Sequence, residues 1–538
     1  MKRIIGRLIP LIITNFPRFW TFIRNQPFLN KITNRFFING IVKSTTPRPH
    51  PFSLWSEDPA VVSDYTAWPS LTQRVFTARH LPPAPHDYVA SLPDTHAVAD
   101  LFKRQHQILS SRSTVMFMFF AQWFTDSFLR TDPNDWRKNT SNHEIDLCQI
   151  YGLNEHTTKV LRAYELGKLK SQTINGEEYP PYLYDTNGAV NPEFAAYPHL
   201  GAIQYLLSRF EKGILKGELG AERRRKLFAS GLERGNFFVG YSALNTLFLR
   251  EHNRVCTVLH QKHPQWNDER LFQTARNILI VILLKIVIED YINHISPALF
   301  PFQVEHGFAE TQRWYRTNWI TVEFDLLYRW HGLVTNTIEV GGAHRDEKEY
   351  MYNNPLLEQV GIGGIFNSAS AQTAGRIGLS NTPDFLLGTE LASLDLSRKA
   401  RVKPYNDYLE CFGSPRLRSF EELTQNLAIQ DALKQLYGSM DRIEFYTGLL
   451  AQDRLGPRAV LMPLLTIMVG VDAFSHALTN PLLSINVFNE STFSKVGLDI
   501  INETSTLREL VARNVSGDVG NVSFNIPGTA SPVVLRRA

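Results

Sequence analysis

A tyrosine and a histidine three residues apart are the first candidates for chemistry. In EFDLLYRWHGL (323–333), Tyr328 and His331 have a spacing that on a helix sets both side chains on one face. Taken singly, each is better explained as a satisfied core residue. Together they suit an iron held by a proximal imidazole, with a phenol one turn away that an oxidised haem could convert to a radical. Upstream, FAQWFTDSF (120–128) carries Gln122 and Asp126 at i, i+4, the spacing by which two polar side chains serve one pocket. An exposed polar stripe accounts for the same pattern, since Gln and Asp are mostly surface residues.

The elements that must hold these residues are helical. From Asn267 to Ser296, NDERLF supplies an Asn cap with acids in the first turn, ahead of the apolar run NILIVILLKIVIEDYINHIS. Apolar nearly all round, this helix is predicted to be buried. Strand signals are few, confined to β-branched alternation near 333–340 and after Val511. The predicted fold class is mainly α, with one large domain over 57–538. No apolar run reaches the ~20 residues that cross a bilayer as a helix, so no span is expected.

Residues 1–56 form a separate unit. They contain no Asp or Glu, while nine Lys and Arg from Lys2 to Arg48 alternate with many Phe, Ile and Leu. Pro10, Pro17 and Pro27 cut the stretch into short helical pieces. Such a segment predicts a monotopic arm that lays rings into the acyl boundary and cations against anionic head groups. A targeting peptide fits less well, because the first apolar stretch is broken by Arg7 and Pro10 and lacks a small-residue cleavage site. Cys148, Cys256 and Cys411 lie too far apart for a zinc knuckle or a disulfide framework. A reducing compartment, or independence from redox state, follows, and a peripheral membrane protein facing the cytoplasm is expected. A net charge of +4 gives no general case for nucleic acid as a partner.

With these segments in view, the chain resembles the cyclooxygenase branch of the animal haem peroxidases from about Asn15 to Pro527. The matching stretches include LREHNRVC (249–256), NDERLFQTARNILI (267–280), KIVIEDYINHIS (285–296), EFDLLYRWH (323–331), AGRIG (374–378) and LYGSMDRIEFYTGLL (436–450). HEIDLCQIYGLNEHTTKVLR (143–162) resembles the family's approach to the haem pocket, and FPRFWTFIRNQPFL its membrane-binding arm. The resemblance implies a haem-peroxidase fold, haem b as cofactor, a polyunsaturated fatty acid and O2 as substrates, a membrane surface as partner, and a homodimer. It makes His331 the proximal ligand, Tyr328 the radical-forming tyrosine, Tyr291 the neighbour that hydrogen-bonds it, and Gln122 the distal glutamine. It assigns Ile292, Ser296 and Leu327 to the substrate channel.

The departures from the family carry as much information. Its distal histidine falls at Asp126, and a free carboxylic acid holds a proton poorly near neutral pH, so peroxide cleavage is expected to suffer. Lys43 matches, through a gap, the arginine that holds the substrate carboxylate, and offers a point charge in place of a bidentate fork. The tyrosine that assists it is replaced by Ala298. The serine acetylated by aspirin in mammalian relatives corresponds to Ala473 or Ser475, depending on a gap. A disulfide module ahead of the arm is expected to be missing. These features favour a fatty-acid dioxygenase that makes a simple hydroperoxide from a C18 acid such as linoleate. The alternatives are a true cyclooxygenase acting on arachidonate, and a haem-binding protein without turnover.

Overall fold

The structure is a computed structural model and describes residues 14–42, 60–210, 216–453, 455–456, 458–517 and 519–529. Its principal helices, in chain order, are α1 (Pro17–Arg24), α2 (Pro27–Val42), α3 (Val115–Thr125), α4 (Val239–Lys262), α5 (Asp268–Ile286), α6 (Val322–Leu327), α7 (Asn354–Ala371), α8 (Leu387–Lys399), α9 (Phe445–Ala451), α10 (Pro463–Leu478), α11 (Glu490–Asn502) and α12 (Leu507–Asn514). Strands are reduced to three two-stranded antiparallel ribbons among the described residues. β1 (Leu109–Thr114) pairs with β6 (Thr373–Gly375), β2 (Gln172–Ile174) with β3 (Glu177–Tyr179), and β4 (Ile338–Val340) with β5 (Ala343–Arg345). The fold is therefore mainly α, as predicted. The alternation near 333–340 does become a strand, whereas the stretch after Val511 continues as α12 to Asn514.

Helix α4 is the central post, packed against α3, α5, α7 and α12. Its approach to α3 depends on Gly240, where a Cβ would stand 2.2 Å from Phe119 Cγ. Helix α5 begins as predicted, with the Asn267 side chain accepting from the Arg270 amide. One expectation needs correction: continued through the following turns, Asp268–Ile295 is long and apolar enough to cross a bilayer. It lies in the core instead, with 78% of its most apolar stretch buried inside the protein. From Val287 to Ile292 the helix widens into π geometry, and this irregular turn carries Tyr291 and Ile292. Such turns are rare and recur at functional sites, because they rotate a side chain off the regular helical face.

Helices α1 and α2 both start on proline, which is tolerated in the first turn because its missing N–H has no partner there. They are docked to the body by Trp20 and Phe37, whose rings pack on Phe300, and by Asn30 and Asn34, which donate to Gln303. Arg35 and Lys31 both reach Glu305. Two of the arm's cations are thus engaged by the protein itself. Phe16, Phe19, Phe22, Phe28, Ile32 and Phe36 remain exposed. Lys43, the candidate counter-ion of the substrate carboxylate, lies outside the described residues.

Candidate functional site

Tyr328 and His331 do not share a helix. Helix α6 ends at Leu327, and Tyr328 is its C-cap. The chain then tightens through short-range bonds, Arg329 N–H to Leu326 O and Trp330 N–H to Tyr328 O, before His331 opens a 3-10 turn. The cause lies in the next residue. Gly332 is drawn against the AGRIG segment, where a Cβ on Gly375 would lie 2.0 Å from the Gly332 carbonyl oxygen. Asn381 Nδ2 donates to that carbonyl at 3.1 Å, and to the Arg376 and Ile108 carbonyls at 2.7 and 2.8 Å. One amide side chain ties the histidine turn to β6 and to the entry of β1.

The imidazole of His331 is oriented from α8. Its Nδ1 lies 2.9 Å from Glu390 Oε1, bent away from the ideal N–H···O line. Glu390 is fully buried and also accepts from Thr382 Oγ1 at 2.6 Å and from Tyr446 Oη at 2.5 Å. Burial pushes this carboxyl up, but the His331 ring and those two hydrogen bonds outweigh it and hold Glu390 below the ordinary range. With Nδ1 turned to Glu390, Nε2 is left without a protein hydrogen bond among the described residues.

Tyr328 keeps part of its ring accessible while its hydroxyl is buried. That hydroxyl and the one of Tyr291 lie close enough to perturb each other's ionisation, although neither makes a hydrogen bond of standard geometry. Burial raises both phenols well above their usual value; for Tyr328 the Tyr291 hydroxyl partly offsets the rise and Asp472 adds to it. Trp330 stacks on Tyr328 with centroids 4.5 Å apart, and Phe324 meets it edge-on at 5.2 Å. Tyr291 is enclosed by Phe117, Phe120 and Phe124, at 5.2, 5.4 and 5.9 Å. A phenol pair kept dry by aromatic rings and lacking a proton acceptor suits a hydrogen-atom carrier better than an acid.

Those three phenylalanines form one face of α3, and Gln122 and Asp126 occupy the other. Gln122 is half-buried, and Asp126, the C-cap, is only 9% exposed, so neither belongs to an exposed stripe. Both oxygens of Asp126 are engaged: Arg234 Nη1 donates to Oδ1 at 3.1 Å and Tyr241 Oη to Oδ2 at 3.2 Å. Ile292 and Leu327 are buried beside Tyr291 and Tyr328, and half-buried Ser296 caps the end of its helix, accepting from the Ala298 amide. Ala473 and Ser475 both lie buried on α10, and the Ser475 hydroxyl donates to the Asp472 carbonyl. On the same helix Asp472 pairs with His80 Nε2 at 2.8 Å.

Sequence reasoning missed Glu390, Thr382, Arg234, Tyr241, and the His80–Asp472 pair. Tyr446 lay inside a quoted matching segment but drew no notice. None of these carries a spacing signal: Thr382 and Glu390 are eight residues apart with a helix start between them, and the other pairs are tens to hundreds of residues apart.

The donor set fits haem. Among the described residues no group of three or more His, Cys, Asp or Glu could hold a bare ion. A single oriented imidazole with a free Nε2 instead suits an iron whose remaining ligands come from a macrocycle.

A mainly helical fold that sets such an imidazole beside a dry tyrosine pair defines a haem oxidoreductase, and the chain belongs to the animal haem peroxidase family, whose model matches residues 134–525. Helix α3, with Gln122 and Asp126, lies ahead of that match. Prostaglandin G/H synthase 2 of Gallus gallus is 33% identical over 522 residues, spanning 94% of this chain and 80% of the relative. In Mus musculus, prostaglandin G/H synthase 1 is 31% identical over 536 residues, 96% of this chain and 83% of the relative. The fold is also that of the fatty acid alpha-dioxygenase of Arabidopsis thaliana (TM-score 0.68, 16% identity, all of both chains covered).

Proposed function

We propose that this chain is a haem-dependent fatty-acid dioxygenase that makes a hydroperoxide from a linoleate-type acid and releases it largely unreduced. The observation that carries the reading is the buried Tyr328–Tyr291 phenol pair three residues from an imidazole with a free Nε2. His331 would hold the iron. Haem bound there supplies the one-electron oxidant that converts the Tyr328 phenol to its radical.

The remaining work belongs to the protein. The Tyr328 oxygen removes a hydrogen atom from the bis-allylic carbon; O2 adds to the carbon radical; the peroxyl radical then takes the hydrogen back from the Tyr328 hydroxyl. One fatty acid and one O2 give one hydroperoxide, and the tyrosyl radical is restored. Tyr291 orients the phenol, and Phe117, Phe120, Phe124 and Trp330 exclude water and stray reductants. Ile292, Leu327 and Ser296 line the acyl path, with Lys43 as the carboxylate's counter-ion. Gln122 serves the peroxide side. Asp126, already engaged by Arg234 and Tyr241, is a poor carrier for a peroxide proton.

Residues 1–56 act as the membrane arm of a catalytic body spanning 57–538, which works as a homodimer on one face of the membrane. The exposed phenylalanines of α1 and α2 support this assignment.

The test is product analysis by mass spectrometry with linoleate, arachidonate and palmitate on the haem-loaded protein. A mono-hydroperoxide from linoleate with equimolar O2 uptake is expected, and none from palmitate, which has no bis-allylic hydrogen. An endoperoxide from arachidonate would replace this reading with cyclooxygenation. No uptake with any acid would leave haem binding without turnover.

A further inference from the structure

We infer that Glu390 is the positioning residue for His331, a buried carboxylate that fixes the imidazole's tautomer and makes it a more electron-donating ligand. The inference rests on the proposed role of His331 as iron ligand.

Burying a carboxylate is costly unless its oxygens are satisfied. Glu390, in the first turn of α8, is fully buried. Its neutral partners are the Thr382 hydroxyl at 2.6 Å and the Tyr446 hydroxyl at 2.5 Å. Among the described residues, the ionisable group at hydrogen-bond distance is His331, 2.9 Å away. Glu390 and its two donors come from three separate elements: the loop after AGRIG, α8 and α9. The same loop supplies Asn381, which holds the Gly332 carbonyl. One framework thus sets both the backbone and the ring of His331, and imperfectly aligned contacts of this kind tighten once a site is loaded.

The chemical consequence follows from the arrangement. A carboxylate at Nδ1 keeps the proton on that nitrogen, leaves the Nε2 lone pair for the metal and raises the basicity of the ligand. An electron-rich axial ligand favours the ferric over the ferrous state, and strengthens the electron push that assists peroxide O–O cleavage. In this chain such assistance would matter the more because both oxygens of Asp126 are already engaged, by Arg234 and Tyr241.

The experiment is spectroelectrochemistry and resonance Raman on the haem-loaded protein. Glu390→Gln keeps the shape and an acceptor but removes the charge. It is expected to bind haem, shift the ferric–ferrous equilibrium about tenfold toward ferrous, which is ~59 mV for a one-electron couple, and lower the iron–imidazole stretching frequency. Tyr446→Phe and Thr382→Val remove a donor from the carboxylate while leaving its charge, so both are expected to move the potential the opposite way. These two variants carry the sign test alone if Glu390→Gln does not fold. An unchanged potential and stretch in Glu390→Gln, or all variants moving in one direction, would overturn the inference. His331→Ala separates the two claims. If it loses the imidazole-ligated spectrum while Glu390→Gln is silent, this inference alone fails; if it keeps that spectrum, the ligand assignment fails and takes the inference with it.

Discussion

Gly375 and Gly332 meet backbone to backbone, so closely that a Cβ on Gly375 would stand 2.0 Å from the Gly332 carbonyl oxygen. No side-chain rotation relieves that overlap, and the peptide next to His331 would have to move. Gly375→Ala is expected to cost about 1–3 kcal/mol of stability, the usual range for overpacking, and to weaken haem binding. Thermal unfolding and haem titration would check it; a variant with parental values of both would show that the histidine turn is not positioned by this contact.

Tyr328→Phe keeps the ring that packs on Trp330 and Phe324 but removes the hydroxyl. Haem binding and folding should be parental while oxygen uptake on linoleate falls to background. Tyr291→Phe should retain activity, reduced several-fold, because it orients the phenol without carrying the radical. Uptake that persists in Tyr328→Phe would refute the tyrosyl route.

Asp126→His places a base near neutral pKa on the face of α3 that carries Gln122, and peroxidase turnover should rise by tenfold or more, within the ~10²–10⁴ that general acid–base catalysis supplies. Asp126→Ala should leave peroxidase turnover low and cost about 1–3 kcal/mol, since the buried Tyr241 hydroxyl loses its acceptor. Identical peroxidase rates in parent, His and Ala forms would sink the idea that Asp126 limits this half-reaction.

Asp290 precedes Tyr291 in the π turn and accepts from the Leu507 amide at 3.0 Å. Burial raises its pKa from 3.8 to about 7, against that hydrogen bond and helped by Glu509. A raised folded-state pKa means that its contribution to stability is full below the unfolded value and is lost as pH rises through about 7. The parent's Tm should therefore fall between pH 6 and 8 by about 1–3 °C relative to Asp290→Asn, given how weakly Tm responds in a chain this long. Parallel Tm curves for the two proteins across that range would show that the carboxyl is not penalised.

Phe28, Ile32 and Phe36 are exposed on α2, and Phe36 meets the body only through an edge-on contact with its neighbour Phe37 at 5.6 Å among the described ring pairs. Replacing all three with Ser should leave Tm unchanged and weaken binding to anionic vesicles by about tenfold or more, ~1.4 kcal/mol. Vesicle co-sedimentation equal to that of the parent would remove the arm from the membrane.

Much of this architecture was legible in the linear pattern. The Asn267 cap and the apolar run after it specify a buried helix because capping and periodicity act within a few residues. Pro17 and Pro27 mark the starts of α1 and α2 for the same reason. The ordered family motifs pointed to haem, to Tyr328 and to His331 without any knowledge of distances. The helix drawn through Tyr328 and His331 was wrong because its end is set by Gly375 and Asn381, more than forty residues on, which hold Gly332 in a 3-10 turn where an α-helix would have continued.

By itself, then, the sequence determined the helical class, the apolar and basic arm, and the types of residue able to hold iron and carry a radical. Tertiary structure alone decided that Glu390 stands behind His331, that Arg234 and Tyr241 engage Asp126, and that Phe117, Phe120 and Phe124 enclose Tyr291. The physical reason is range. Caps, turns and periodicity are local and leave their mark in neighbouring residues, whereas a buried carboxylate or an isolated phenol takes its partner from whichever distant element the packed core brings alongside it.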